Sequence, residues 1–195
     1  MDFGSIPQIS QHILLKPAQT LAAQAKAKAA LADGVILYTA ASLLGVLSGL
    51  LSLVFLDSQS SRLLYQGQMG SLFSNPLLYA LVGLAAGLAT SFIWAGLVHF
   101  LSKLLGGKGR FHALYFLFAL IALPIAVLHL LNALPYLGLL LGALASLYGL
   151  YLQVLAVSRV HRLTTLRAGL AVLAALVLCG LAISVLVFLS LGPMA

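Results

Sequence analysis

Long apolar stretches alternate with short polar segments along most of the chain. A helix needs about 20 apolar residues, at 1.5 Å each, to cross the hydrocarbon of a bilayer. Five stretches reach that length, and each ends at a charge, a proline or a cluster of turn-forming residues. The predicted spanning helices are residues 35–56, 77–101, 111–131, 136–157 and 168–191. The pattern predicts an all-α fold, a polytopic membrane bundle of five transmembrane helices within a domain of residues 35–195.

Residues 1–34 precede the first predicted span and form a predicted cytoplasmic leader. Residues 17–33 contain good helix formers, with Pro17 at a first-turn position and Gly34 at a C-terminal stop. We expect a short N-terminal helix, weakly amphipathic and interfacial, that leads into the first span. A flexible leader is the alternative. The first span is longer than the apolar core of a signal peptide, so we expect it to remain as a helix.

Lysine and arginine fall almost entirely on one side of the predicted spans. Three precede the first span, three lie between spans two and three, three lie between spans four and five, and Arg62 alone falls on the opposite side. Cytoplasmic loops are enriched in basic residues. We therefore expect a multi-pass protein of the cell membrane with a cytoplasmic N-terminus and an extracytoplasmic C-terminus.

The composition of the chain favours lipid over nucleic acid as the binding partner of these basic residues. The chain is 63% hydrophobic and carries a formal net charge of +7, and its cations flank apolar segments, where anionic lipid headgroups are the nearest partners. We predict a lipid-binding or partner-binding cytoplasmic face made of Lys103, Lys108, Arg110, Arg159, Arg162 and Arg167. A second copy of the chain, or a membrane or cytosolic protein, stays open as a further partner.

Small residues recur at four-residue intervals in several spans, a spacing that lets membrane helices approach closely. The predicted packing glycines are Gly45, Gly49, Gly83, Gly87, Gly138 and Gly142. Pro124 lies inside the third span and removes one intrahelical hydrogen bond, which predicts a kink. The bend fits this helix to its neighbours in one interpretation and serves as a hinge in the other.

The polar inventory argues against catalysis and metal binding. The chain has no glutamate and only three aspartates, Asp2, Asp33 and Asp57. The polar residues of the predicted spans include His99 and His129, and no acid accompanies them. We therefore predict no catalytic, cofactor or metal site. The glycine-rich segment 106–110 lacks the spacing of a nucleotide-binding loop and reads as a helix stop followed by a turn.

The order of several short motifs resembles the Yip domain family. Lys16-Pro17 lies in the leader, Gly106-Gly107-Lys108-Gly109-Arg110-Phe111 separates spans two and three, and Ala122-Leu123-Pro124 lies in span three. Leu134-Pro135-Tyr136-Leu137-Gly138 opens span four, and a basic turn before Arg167-Ala168 leads into span five. The resemblance implies a five-span helical bundle. The eukaryotic Asp-Leu-Tyr-Gly-Pro signature is absent, so the resemblance is to prokaryotic-type members.

The resemblance implies a non-enzymatic membrane scaffold or organiser. In eukaryotes the family is linked to Rab-type GTPases, vesicle traffic and membrane shaping, and the missing signature argues against a Rab-related role here. The alternative is a small carrier, channel or lipid scramblase for a neutral or lipid-like solute, which the proline in span three and the glycine-lined faces favour. A polar cavity open to the cytoplasm separates these hypotheses, because a carrier needs one and a scaffold does not.

Overall fold

The computed structural model describes residues 3–26, 30–55, 75–134 and 137–191. The regular elements in these ranges are all helical. In chain order the α-helices are α1 Ile6–Leu15, α2 Pro17–Gln24, α3 Leu31–Phe55, α4 Pro76–Leu104, α5 Phe111–His129, α6 Leu137–His161 and α7 Thr165–Leu191. Short 3-10 turns at Phe3–Ser5 and Leu130–Ala133 precede α1 and follow α5.

Five of these helices, α3 to α7, are long and apolar enough to cross a membrane. The all-α membrane bundle predicted from the sequence is thereby confirmed. Two predicted span ends, residues 56 and 136, lie outside the described residues, as does Arg62. The boundary between α3 and the leader differs from the expected one, since α3 begins at Leu31, upstream of Gly34.

The start of α4 shows how local chemistry sets a helix boundary. The side chain of Asn75 accepts hydrogen bonds from the backbone N–H groups of Leu77 and Leu78 at 3.1 and 3.2 Å. These are two of the amides that a helix leaves unsatisfied at its first turn. Pro76 occupies the first helical position, where its missing N–H removes nothing. The Asn-Pro pair therefore starts the helix at this residue.

The leader contains two helices where the sequence predicted one. Helix α2 is shorter than the expected 17–33, and α1 precedes it with a hydrophobic stripe of isoleucines. Ile13 of α1 and Leu21 of α2 are both fully buried in the main hydrophobic core. The leader therefore packs against the spanning helices, because these apolar side chains find a partner surface there.

Helix α5 is the centre of the bundle. Its residues from Leu114 to Ile121 are at most 2% exposed, whereas most of the side chains of α7 are exposed. Helix α3 lies parallel to α5, with Gly34 beside Phe116 near one end and the Ser48 hydroxyl donating to the His129 carbonyl at 2.8 Å near the other. A helix surrounded on all sides by others is expected to be apolar around its circumference.

Helices α3 and α4 run antiparallel and approach closely at glycines. A Cβ atom on Gly83 would lie 2.9 Å from Cγ2 of Val46, and one on Gly87 would lie 2.7 Å from the hydroxyl of Ser42. Gly49 lies against the Tyr79 hydroxyl. These three glycines of the predicted stripes therefore sit where a larger residue would force the two helices apart.

The remaining predicted packing glycines are placed differently. Gly138 and Gly142 both lie against Asn132, in the turn between α5 and α6. Gly45 is exposed, and a Cβ there would have no neighbour within 4 Å. Pro124 is buried inside α5, which continues as a helix on both sides of it.

Candidate functional site

One end of the bundle collects most of the basic residues of the described chain, whereas Lys16 lies deeper, beside Tyr151 of α6. Helices α3, α5 and α7 begin at this end, and α2, α4 and α6 finish there. The α4–α5 turn, the α6–α7 turn and the last turn of α2 therefore lie side by side. We call this region the basic end.

The α4–α5 turn ends α4 with a glycine in the left-handed region. Gly106 has φ of +88°, a conformation that costs glycine little and other residues more. The N–H of Gly106 bonds the Lys103 carbonyl at 3.0 Å, and the N–H of Gly107 bonds the Ser102 carbonyl at 2.8 Å. This hydrogen-bond pair is the Schellman motif that closes many helices. The glycine stop predicted from the sequence is confirmed.

The α6–α7 turn ends α6 in a similar way, with an arginine in the left-handed position and the longer of the two backbone bonds. Arg162 has φ of +55°, and the N–H of Leu163 bonds the Ser158 carbonyl at 3.2 Å. The Ser158 hydroxyl returns a bond of 2.8 Å to the Leu163 carbonyl. A left-handed backbone is unfavourable for a residue with a Cβ by roughly 1–2 kcal/mol. The fold therefore holds Arg162 where glycine would be the easier choice.

The two turns are joined into one rigid unit. The N–H of Lys108 donates to the His161 carbonyl at 3.1 Å. A Cβ on Gly107 would lie 2.6 Å from Nδ1 of His161, and one on Gly109 would lie 2.6 Å from the side chain of Val160. Only glycine permits this approach of the turn to the end of α6. The backbone segments that carry the cations of both turns are therefore held in fixed relation to each other.

Helix α2 docks with its last turn beside these turns, and side-chain hydrogen bonds satisfy three carbonyls at the break between α1 and α2. The Thr20 hydroxyl donates to the carbonyls of Lys16 and His12 at 2.9 and 3.2 Å. The Tyr148 hydroxyl, from the middle of α6, donates to the Leu14 carbonyl at 2.7 Å. Irregular backbone packed among spanning helices needs such partners, because lipid offers none. The bonds hold α2 along α6, with its last turn at the basic end.

A cleft of about 930 Å³ opens between the last turn of α2 and the two turns. Its charged and titratable lining residues are Lys26, Lys108, Arg110, His112, Arg159 and Arg162. Among the described residues no carboxylate lines it. Asp33, the one acid in the described ranges, lies just beyond it in α3, and its carboxylate accepts a bond from the N–H of the lining residue Ala30 at 2.9 Å. The cleft is a concave, strongly positive site.

The structure divides the six predicted basic residues. Lys108, Arg110, Arg159 and Arg162 line the cleft. Lys103 and Arg167 are exposed at the same end and do not line it. The sequence-based set omitted Lys26 and His112. Lys26 had been counted with the leader, and its distance in sequence from the turns hid its place in the cleft.

A row of polar contacts between spanning helices was also missed. Nδ1 of His99 and Nε2 of His161 are 3.2 Å apart, and His161 is fully buried beneath the α4–α5 turn. The indole N–H of Trp94 donates to the Gln153 amide oxygen at 2.8 Å. Both pairs join α4 to α6. The sequence contains a partial signal for both pairs. The two residues of each pair lie at a similar distance from the ends of α4 and α6, which finish on the same side of the bundle.

Described residues offer little for metal or acid–base chemistry. No group of three or more metal-ligating side chains occurs in the described ranges. The two histidines that meet do so without a carboxylate beside them, whereas hydrolytic or proton-transfer sites combine a base with an acid or an orienting group. The positive charge of the site suits anions, and the described residues around it include no catalytic arrangement.

Comparison with protein families gives one result that covers most of the chain. The Yip1 domain matches residues 12–187, which includes α2 to α6, most of α7 and every charged residue of the cleft. No curated protein and no solved structure matches the chain. With five helices able to span a membrane, the chain is a multi-pass membrane protein and belongs to the Yip1 domain family.

Proposed function

We propose that this protein is a non-enzymatic membrane organiser that acts through its basic end. The observation that carries the proposal is the convergence of cations from the leader and from both turns at one end of the bundle. Such clusters at a membrane boundary attract anionic headgroups, each cation contributing about 1 kcal/mol near a charged surface. Membership of the Yip1 domain family supports a membrane role.

The same distribution of charge supports an orientation. Basic residues next to spanning helices are retained in the cytoplasm, so the basic end faces inward in the cell membrane. The N-terminus is then cytoplasmic and the C-terminus extracytoplasmic. The cytoplasmic leaflet also carries most of the anionic lipid, which places the partner on the side where the charge is.

A carrier for a neutral or lipid-like solute is the second candidate, and the polar cleft is the observation that favours it. The cleft residues all lie at the basic end, and the next two turns of α5, from Leu114 to Ile121, are closely packed. A conduit would continue between the helices at this depth. The packing of α5 therefore supports a binding cleft over a transport path.

Reconstitution of the full chain tests these two functions together. Vesicles of phosphatidylcholine with fluorescent phosphatidylglycerol report lipid organisation through the lateral mobility of the labelled lipid. We expect the protein to slow the labelled anionic lipid and to leave a labelled phosphatidylcholine unchanged. The same vesicles, loaded with a panel of neutral solutes, should retain them. Unchanged mobility of the anionic lipid would contradict the proposal, and solute release would favour the carrier.

A further inference from the structure

The cleft at the basic end brings together cations from three separate segments of the chain. Lys26 comes from the turn after α2, Lys108 and Arg110 from the α4–α5 turn, and Arg159 and Arg162 from the end of α6. His112 lies in the first turn of α5 at the same opening. Scattered surface lysines that only meet a membrane plane need no such convergence. The arrangement of the cleft cations around one cavity therefore indicates a discrete ligand.

Five like charges surround one cavity, and the backbone segments that carry four of them are held against each other. The five side chains are exposed, so water screens part of their mutual repulsion, which a bound anion would offset further. The Lys108–His161 backbone bond and the close contacts at Gly107 and Gly109 fix the two turns together. The backbone of the cleft therefore keeps positive charge concentrated where an anion can bind.

Arg162 adds a second, independent observation. Its backbone holds a left-handed conformation at a helix end where glycine is the usual residue. Strained backbone of this kind clusters at sites that bind ligands, where the surrounding structure maintains it. Glycine would close α6 without strain but would leave the cleft with one cation fewer.

The chemistry of the lining selects among anions. Three of the five cations are arginines, whose planar guanidinium groups present paired N–H donors that match two oxygens of a phosphate. The volume of about 930 Å³ is near the upper limit of ordinary ligand pockets, which range from about 300 to 1,000 Å³. A single phosphate would leave most of the charge and space unused. A ligand with at least two phosphate groups matches both the charge and the volume of the cleft.

We propose that this cleft binds a group carrying two or more phosphates, which reaches it on a lipid headgroup or as a free polyphosphate. This proposal rests on the proposed function in one respect, because it takes the basic end as the surface through which the protein acts. It goes further in naming a site of defined residues and a ligand class. The α2 helix forms one wall, so the leader takes part in binding through Lys26.

Two arms of one experiment separate the sources of this chemistry. The full chain is placed in phosphatidylcholine nanodiscs, and inorganic pyrophosphate is titrated by calorimetry. In the second arm the nanodiscs contain diphosphatidylglycerol, or phosphatidylglycerol at equal total charge, and native mass spectrometry measures the lipid retained by the protein. Binding in the first arm identifies a soluble ligand class. Preferential retention of diphosphatidylglycerol over phosphatidylglycerol identifies a lipid.

Matched single-charge variants decide whether the cleft is the site. Arg162→Gly and Arg159→Gln each remove one charge from the cleft, and Arg167→Gln removes one from the same end of the bundle outside the cleft. We expect the two cleft variants to weaken binding about tenfold, as the loss of a charge-assisted contact does, and Arg167→Gln to change it less than about twofold.

Equal losses from all three variants, or no binding in either arm, would overturn the assignment. Arg162→Gly keeps the experiment interpretable, because glycine suits the backbone at this position and folding is retained. Failure of the cleft proposal and failure of the proposed function can be told apart. A protein that slows phosphatidylglycerol through its overall charge would still give the expected result in the vesicle experiment, even if the cleft bound nothing.

Discussion

Arg162 shows how one residue can be kept at a conformational disadvantage. Its left-handed backbone ends α6, and its side chain lines the cleft. A glycine here removes the backbone strain of the folded protein but also raises the conformational entropy of the unfolded chain. The two effects on the free energy of unfolding are of similar size and opposite sign. We expect Arg162→Gly to leave the free energy of unfolding within about 0.5 kcal/mol of the original. Arg162→Val should lower it by about 1–2 kcal/mol, because a β-branched residue tolerates a left-handed backbone less well than arginine does.

Unfolding in mixed micelles, followed by circular dichroism, measures the difference. Arg159→Val is the matched control, since Arg159 is exposed on α6 and has an ordinary helical backbone. A valine there should cost only its lower helix propensity, about half a kcal/mol. Equal destabilisation by valine at both positions would show that the backbone of Arg162 is not strained.

Gly107 is the contact point between the two turns. A methyl group there would meet Nδ1 of His161 and the Ser102 carbonyl oxygen, each at 2.6 Å. We expect Gly107→Ala to destabilise the protein by about 1–3 kcal/mol, the range for overpacking a tight site. Gly96→Ala in α4 is the control, since a Cβ there has no neighbour within 4 Å. The melting temperature of both variants in one detergent checks this, and equal values would contradict it.

At the scale of elements, the leader is held by a side chain of a spanning helix. Tyr148 donates to the Leu14 carbonyl, while the exposed Tyr151, one turn later, makes no described hydrogen bond through its hydroxyl. We expect Tyr148→Phe to remove about 1 kcal/mol of docking free energy. Hydrogen exchange of the amides of α1 and α2 should then accelerate about fivefold, as that energy implies. Tyr151→Phe should leave exchange unchanged, and acceleration by both variants would count against the contact.

The packing of α3 on α4 gives a second comparison between like residues. Gly87 faces Ser42 of α3 and Gly45 faces open space, although both belong to the same predicted pattern of small residues. We expect Gly87→Leu to separate the helices and to cost about 1–3 kcal/mol. Gly45→Leu should be neutral or mildly stabilising, because leucine is a better helix former. Thermal unfolding of the two variants tests this, and equal loss at both sites would refute the assignment of faces.

These elements show what the sequence could and could not foretell. The long helices were predictable because the length of an apolar run is itself the requirement for crossing a membrane. The glycine stop at Gly106 and the cap at Asn75 were predictable because both depend on neighbours in sequence. Helix α1 was missed because its stability comes from burying Ile13 against the bundle. Gly45 and Gly87 look alike in sequence, since only the partner helix distinguishes them.

At the scale of the whole molecule, the bundle has two unlike ends. The cleft of the basic end needed three distant segments to meet, so the sequence could name Lys108, Arg110, Arg159 and Arg162 as cations but not as lining of one cavity. The charge pattern alone indicated the side on which they lie. Orientation in the membrane is therefore central to the proposed function, since a cleft for phosphates works where anionic lipid and soluble phosphates occur.

Cysteine labelling tests this orientation most directly. With the one native cysteine replaced in Cys179→Ser, Lys103→Cys marks the basic end and Leu134→Cys marks the opposite end, and both positions are exposed. A membrane-impermeant maleimide is applied to intact cells and to permeabilised cells. We expect Leu134→Cys to be labelled in intact cells and Lys103→Cys only after permeabilisation. Labelling of Lys103→Cys in intact cells would contradict it.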